Sequence, residues 1–114
     1  MNESIGNKLA QVLSDICPVF ENEAGTQHLP YAVYTLDTEP TYVKGGTSKI
    51  AGTLMLYIYA RTAASALAIR QSAESAIATN MQGGQYRSKL RSATSDNDDE
   101  SYMQTLEYFI AQIA

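Results

Sequence analysis

An α+β fold, with an antiparallel sheet of four to five strands and two helices packed on one face, is what the sequence predicts. Three observations carry that expectation. The chain opens on aliphatic residues at helical spacing, holds an alanine-rich stretch in its middle, and otherwise shows runs that alternate apolar and polar residues with a period of two. Strand pairs on either side of the alanine-rich stretch favour consecutive hairpins, with both helices covering one side of the sheet. The expected order is α-(β)-β-β-α-β-β.

The first helix rests on Ile5, Leu9, Val12, Leu13 and Ile16, which fall on one face of a 3.6-residue period. Asn2 or Ser4 is positioned to cap it, and Pro18 marks its end, because the residue before proline is driven out of the helical region. Val19 and Phe20 are candidates for a short edge strand before a turn at Ala24-Gly25-Thr26. Tyr31–Thr38 is rich in aromatic and β-branched residues and reads as a strand, with Pro30 at its entrance, where a missing donor is tolerated. Glu39–Lys49 holds Pro40 and the Gly45-Gly46 pair and reads as a long polar hairpin loop. Such a length without structure of its own is uncommon unless it binds something.

Ile50–Arg61 alternates cleanly. Leu54, Leu56, Ile58 and Ala60 point one way, toward helices; Thr53, Met55, Tyr57, Tyr59 and Arg61 point the other. The second side is large, partly apolar and tipped with hydroxyls. It marks a partner surface unless a further layer of the same chain covers it. Thr62 is a suitable N-cap for a helix over residues 63–81, whose alanines permit close approach to the sheet and which Gly83-Gly84 stops. Tyr86–Ala93 puts Arg87, Lys89 and Arg91 on one side, and Tyr102–Ile113 returns after an acidic tip at Ser95–Glu100. Which side of the return strand joins the basic stripe depends on register and stays open.

The chain has 114 residues, a length that suits one domain over 1–114 with a core needing no disulfide or metal staple. Eight tyrosines stand against two phenylalanines and no tryptophan, a composition suited to surfaces that are wet part of the time. The net charge of −4 argues against general nucleic-acid binding. The lone Cys17 ends an apolar helical stripe and reads as a small buried hydrophobe. The start of the chain shows no charged-then-apolar leader, and no apolar run approaches a membrane span, so a cytoplasmic location without membrane contact is expected.

Several features invite a chemical reading and fail it. Asp96, Asp98, Asp99 and Glu100 offer carboxylates for a hard cation, but lack the glycine and distant glutamate of a calcium hand and suit a solvated turn. Gly45-Gly46-Thr47-Ser48-Lys49 lacks phosphate-loop spacing and no helix follows it. His28, the lone histidine, has no acid or base placed beside it by the sequence. No cofactor, metal or catalytic set is therefore expected. Arg87, Lys89 and Arg91 suit phosphate contact, an acidic patch on a neighbouring subunit or partner, or a solvated sheet face or edge. The acidic net charge favours the subunit or partner over nucleic acid.

Leu29-Pro30-Tyr31-Ala32-Val33-Tyr34, then Gly52–Arg61, then the helix carrying Ala64-Ser65-Ala66-Leu67-Ala68, resemble in order and spacing the small tail-completion proteins of tailed phages and prophages. These are the tail-terminator and tail-to-head joining proteins. The resemblance spans nearly the whole chain, which departs from the commoner pattern in its long Glu39–Lys49 excursion. It implies a non-enzymatic subunit that assembles with itself into a ring, commonly a hexamer, in the virion tail, and in the host cytoplasm during assembly. Its partners would be the tail-tube protein and head–neck connector proteins, with no membrane and no sequence-specific nucleic acid. On that reading Met55, Tyr57, Tyr59 and Arg61 form the oligomer interface, while Tyr42, Lys44, Lys49, Arg87, Lys89 and Arg91 meet partners or line the lumen. The alternative is a monomeric or dimeric α+β binding module that recognises a small molecule or peptide on its tyrosine-rich sheet face.

Overall fold

The structure, a computed structural model, describes residues 5–21, 29–42, 48–97 and 101–113. Helix α1 spans Ile5–Ser14, strand β1 Val19–Glu21, β2 Tyr31–Tyr42 and β3 Ser48–Ala60. Helix α2 follows over Ala63–Asn80, then β4 over Tyr86–Asn97 and β5 over Tyr102–Ile113. The strands form one sheet in the order β1-β2-β3-β5-β4. The α+β class and the element order agree with the sequence reading.

Alternation decides the layers. Even-numbered residues of the central strands, Ala32, Tyr34, Leu54, Leu56, Ile58, Leu106, Tyr108 and Ile110, are buried together with Leu9 and Leu13 of α1 and Ala73 and Ile77 of α2. Helix α2 approaches closely because its contact positions are small: Ala66 and Ala73 are essentially inaccessible. Thr62 caps it, its side-chain oxygen accepting from the Ser65 amide at 3.0 Å. The stop comes at Gly83 and Gly84, whose φ values of 88° and 57° lie in the left-handed region that favours glycine. Cys17 lies half-buried against this core with Ile16 and Ile69.

The expected loop at Glu39–Lys49 is mostly strand. Glu39 opposes Ala51, Pro40 opposes Ile50, Thr41 opposes Lys49 and Tyr42 opposes Ser48. Residues 43–47, with Lys44 and the Gly45-Gly46 pair, lie outside the described residues. Proline is tolerated at this point for a geometric reason. The Ala32 amide donates to the Pro18 carbonyl at 2.9 Å, on the β1 side of β2. By the period of two, positions 36, 38 and 40 turn their backbone groups toward that same side, away from β3. The donor that Pro40 lacks is therefore not one the β2–β3 ladder uses.

Three further differences follow from pairing. Strand β1 runs parallel to β2, opposing Ala32–Tyr34, so the sheet is antiparallel except at that border. Strand β4 continues through Asn97, so Ser95–Asn97 of the expected acidic tip are ladder residues opposite Gln104, Met103 and Tyr102, while residues 98–100 lie outside the described set. Arg61 falls beyond the end of β3, exposed in the turn before α2.

Candidate functional site: the helix-free face of the sheet

The face opposite the helices is built from odd-numbered residues, and the register groups them into rows. Tyr31, Tyr59 and Met103 form one row; Val33, Tyr57 and Thr105 the next; Thr35, Met55 and Glu107 a third. The fourth row is Asp37, Thr53, Phe109 and Lys89, and the fifth Glu39, Ala51, Ala111 and Arg87. Tyr31, Val33, Met55, Tyr57, Tyr59, Met103 and Phe109 are all partly exposed. Among the described residues no helix lies over them, so Met55, Tyr57 and Tyr59 belong to a continuous apolar and aromatic face rather than to an interior.

Two side-chain contacts order this face. The Tyr31 and Tyr59 rings stack with centroids 5.0 Å apart, an arrangement that fixes flat apolar surface side by side. Phe109 lies beneath two cations, the Lys49 ammonium 5.8 Å and the Arg91 guanidinium 5.1 Å from its centroid, within the range where the ring quadrupole attracts charge. Arg91 reaches it because the β4–β5 register shifts between Leu90 and Ser92, leaving Arg91 as the extra residue of a bulge. The open question of register is thereby resolved: the basic stripe shares its side with Glu107, Phe109 and Ala111.

The structure thus brings Lys49 together with Arg87, Lys89 and Arg91, half of the eight Lys and Arg residues, at one side of the face. It separates Arg87, Lys89 and Arg91 from Asp37 and Glu39 on β2 by three strand spacings, about 14 Å, whereas Lys49 lies on β3, next to β2. Tyr42 ends β2 opposite Ser48. Tyr31, Val33, Met103 and Phe109 join the face without having been singled out from sequence. The first two share the parity of Tyr57 and Tyr59, but only the register places them beside those residues.

The helix side offers less. Between α2 and the β4–β5 pair, hollows of about 280 Å³ and 270 Å³ are lined by Leu67, Tyr102 and Gln104, and by Glu74, Leu90 and Tyr108. Arg70 donates from its terminal nitrogen to Gln104 Oε1 at 3.1 Å, and its Nε stands 3.6 Å from Glu74. Burial, reinforced by the Glu74 carboxylate and partly offset by Arg70, pushes the Tyr108 phenol up to about 12. Burial likewise raises the Cys17 thiol. Among the described residues no group of three or more His, Cys, Asp or Glu could hold a metal ion, and no helix is long and apolar enough to cross a membrane.

No family model matches the chain, and no curated protein does. Solved structures do share its fold. A chain from the virion of a native gene transfer agent particle superposes with a TM-score of 0.53 at 13% identity, covering 98% of this chain and 87% of that one. The gp17 protein of bacteriophage SPP1 superposes with a TM-score of 0.57 at 16% identity, over 96% of this chain and 88% of its own length. At such identities the likeness establishes the fold.

Proposed function

We propose that this chain is a structural protein of a phage or prophage tail. Copies of it assemble into a ring, a hexamer, at the end of the tail tube, terminating the tail and joining it to the head. The observation that carries this reading is the partly exposed Met55–Tyr57–Tyr59 face, extended by Tyr31, Val33, Met103 and Phe109 on a side of the sheet that no helix covers. Burying such a surface stabilises an assembly by about 25 cal/mol per Å² before the costs of association are subtracted. The shared fold with a gene transfer agent virion chain and with SPP1 gp17 supports the same reading.

In this arrangement Met55, Tyr57 and Tyr59, with Arg61 at the strand's exit, meet other copies. Tyr42, Lys44, Lys49, Arg87, Lys89 and Arg91 meet the tail-tube and head–neck connector proteins or line the lumen. The role requires no catalytic group, only surfaces of fixed geometry. A head-to-tail contact of this kind closes into a finite ring when its rotation divides a full turn.

Native mass spectrometry of the purified chain, alone and with tail tube, tests the reading. A cyclic oligomer is expected, and the Tyr57→Ser/Tyr59→Ser double variant should weaken assembly while its thermal melt stays close to that of the parent chain. A strict monomer at high micromolar concentration with tube present, or saturable binding of a small ligand on this face, overturns it.

A further inference from the structure

We infer that the sheet continues from one copy of the chain into the next, the edge of β4 pairing antiparallel with the uncovered part of β2 through residues Arg87–Leu90 and Leu36–Glu39. The inference rests on the self-assembly proposed above, adds an edge contact to that of the aromatic face, and moves Arg87 and Lys89 from the tube, connector or lumen surface to the contact between copies.

The sheet has two edges that the described residues leave open. One is the outer side of β4 beyond Tyr86, whose amide donates to the Gly83 carbonyl; no strand pairs with it from Arg87 onward. The other is β2 beyond Tyr34, because β1 pairs with β2 only across Ala32–Tyr34. Successive antiparallel pairings along β2, β3, β5 and β4 leave β2 and β4 running in opposite directions. A copy displaced along the width of the sheet therefore brings its β2 alongside β4 in the antiparallel sense.

Charge selects the register. Asp37 and Lys89 stand at opposite ends of one row, and Glu39 and Arg87 at opposite ends of the next. Placing the edges together row by row sets Lys89 beside Asp37 of the next copy and Arg87 beside Glu39. All four lie on the helix-free face, all four are exposed, and among the described residues none takes part in a salt bridge. Cross-strand pairs of opposite charge stabilise a ladder and like charges oppose it. A slip of two residues one way leaves a single opposite-charge pair, Arg87 with Asp37. A slip the other way pairs Lys89 with Glu39 and the bulge residue Arg91 with Asp37, but sets Pro40, which has no donor, opposite Ser88.

The backbone supplies an independent check, which this register passes. On β2, positions 36 and 38 direct their amides and carbonyls outward, as the Ala32-to-Pro18 bond shows. On β4, the Ile113 amide donates to the Gln85 carbonyl at 2.7 Å, so positions 87 and 89 face β5, while 88 and 90 face outward. The charge register opposes Ser88 with Thr38 and Leu90 with Leu36, outward groups meeting outward groups. It also sets Leu90, 39% exposed in the single chain, beside another leucine. The Gln82 amide, which donates to the Ser88 carbonyl, gives way to the incoming strand. The contact is confined to these four residues, because β1 of the next copy covers its Ala32–Tyr34 and the β4–β5 register shifts at Arg91.

Lys89 and Asp37 form a pair without mutual hydrogen bonds, for which Cα atoms lie about 4.5 Å apart, within disulfide reach. Asp37→Cys with Lys89→Cys, in a Cys17→Ala background, should give a ladder of covalent multimers on mild oxidation, and Asp37→Cys with Arg87→Cys should give little. The charge variants Arg87→Glu/Lys89→Glu and Asp37→Lys/Glu39→Lys should each lose assembly by about tenfold or more. Mixing the two variants should restore it, since each then offers the edge the other lacks. If the wild type assembles while either charge variant assembles equally well, or if the shifted cysteine pair cross-links as readily, the edge contact is wrong and the ring reading stands. Edge-dependent growth into open fibres that ignore tail tubes leaves the edge contact standing and removes the proposed role. A wild-type chain that never self-associates overturns both.

Discussion

Gly52 shows how closely the backbone of this sheet is drawn together. A Cβ built there would sit 1.9 Å from the Asp37 carbonyl oxygen and 2.7 Å from the Thr38 Cα. Both obstacles are backbone, so neither can swing aside as a flexible side chain could. Gly52→Ala should therefore destabilise the protein by about 1–3 kcal/mol, the usual cost of overpacking, read as a lowered denaturation midpoint in urea. An unchanged midpoint would mean that β2 yields freely at Asp37. Tyr108 makes a second case at this scale. Its phenol is pushed up to about 12, above the ordinary tyrosine value of about 10. The folded state holds this proton more tightly than the unfolded chain does. The stabilisation is complete below pH 10 and is lost as pH rises toward 12. Tyr108→Phe should flatten that alkaline decline in a melting series, and an identical decline in both proteins would assign it to other groups.

The elements differ in how far their residues announced them. Helix α2 was legible because Thr62 caps it, alanines line its contact face and glycines stop it; each signal is local. Thr62→Ala removes the oxygen that accepts from the Ser65 amide and should cost about 1 kcal/mol, measurable as a lower melting temperature. Serine at that position should recover most of the loss. The two faces of β3 were equally plain from alternation. The continuation of β2 and β3 across Glu39–Lys49 was hidden, because Pro40 reads as a breaker until one knows which side its missing donor faces. The insertion of β5 between β3 and β4 was also hidden, though its cause is visible afterwards. Gln104, Leu106, Tyr108, Ile110, Ala111 and Gln112 are all buried, whereas β4 carries Arg87, Lys89 and Arg91 and takes the edge. Burial selects the interior strand, and charge is tolerated only at a border. The bulge that turns Arg91 onto Phe109 had no signal in the sequence, and the grouping of Tyr31, Val33, Met103 and Phe109 required the register.

At the scale of the whole molecule, the chain measures 53 × 23 × 21 Å. A strand of 12 residues reaches about 40 Å, while the 18 residues of α2 reach about 27 Å. The helices are thus shorter than the sheet they cover, and on the helix side of β4 Tyr86 and Ala93 reach the core while Leu90 stays exposed. The molecule presents two kinds of sticky surface: a broad aromatic face and two narrow edges of opposite charge. These respond differently to salt. Charges on exposed edges act over a Debye length of about 10 Å at 0.1 M and about 3 Å at 1 M, so their attraction fades with added sodium chloride. Burial of the aromatic face does not fade this way, and sulfate strengthens it. Assembly driven by both surfaces should therefore weaken between about 0.05 M and about 1 M sodium chloride, yet survive or recover in sulfate. The Arg87→Glu/Lys89→Glu variant should lose the sodium chloride dependence along with most of its affinity. Tyr57→Ser/Tyr59→Ser should keep that dependence and lose the recovery in sulfate. Sedimentation velocity across the two salt series reads both responses. Identical salt profiles for the two variants would show that face and edges do not act as separate contacts, and the division of labour between them would have to be abandoned.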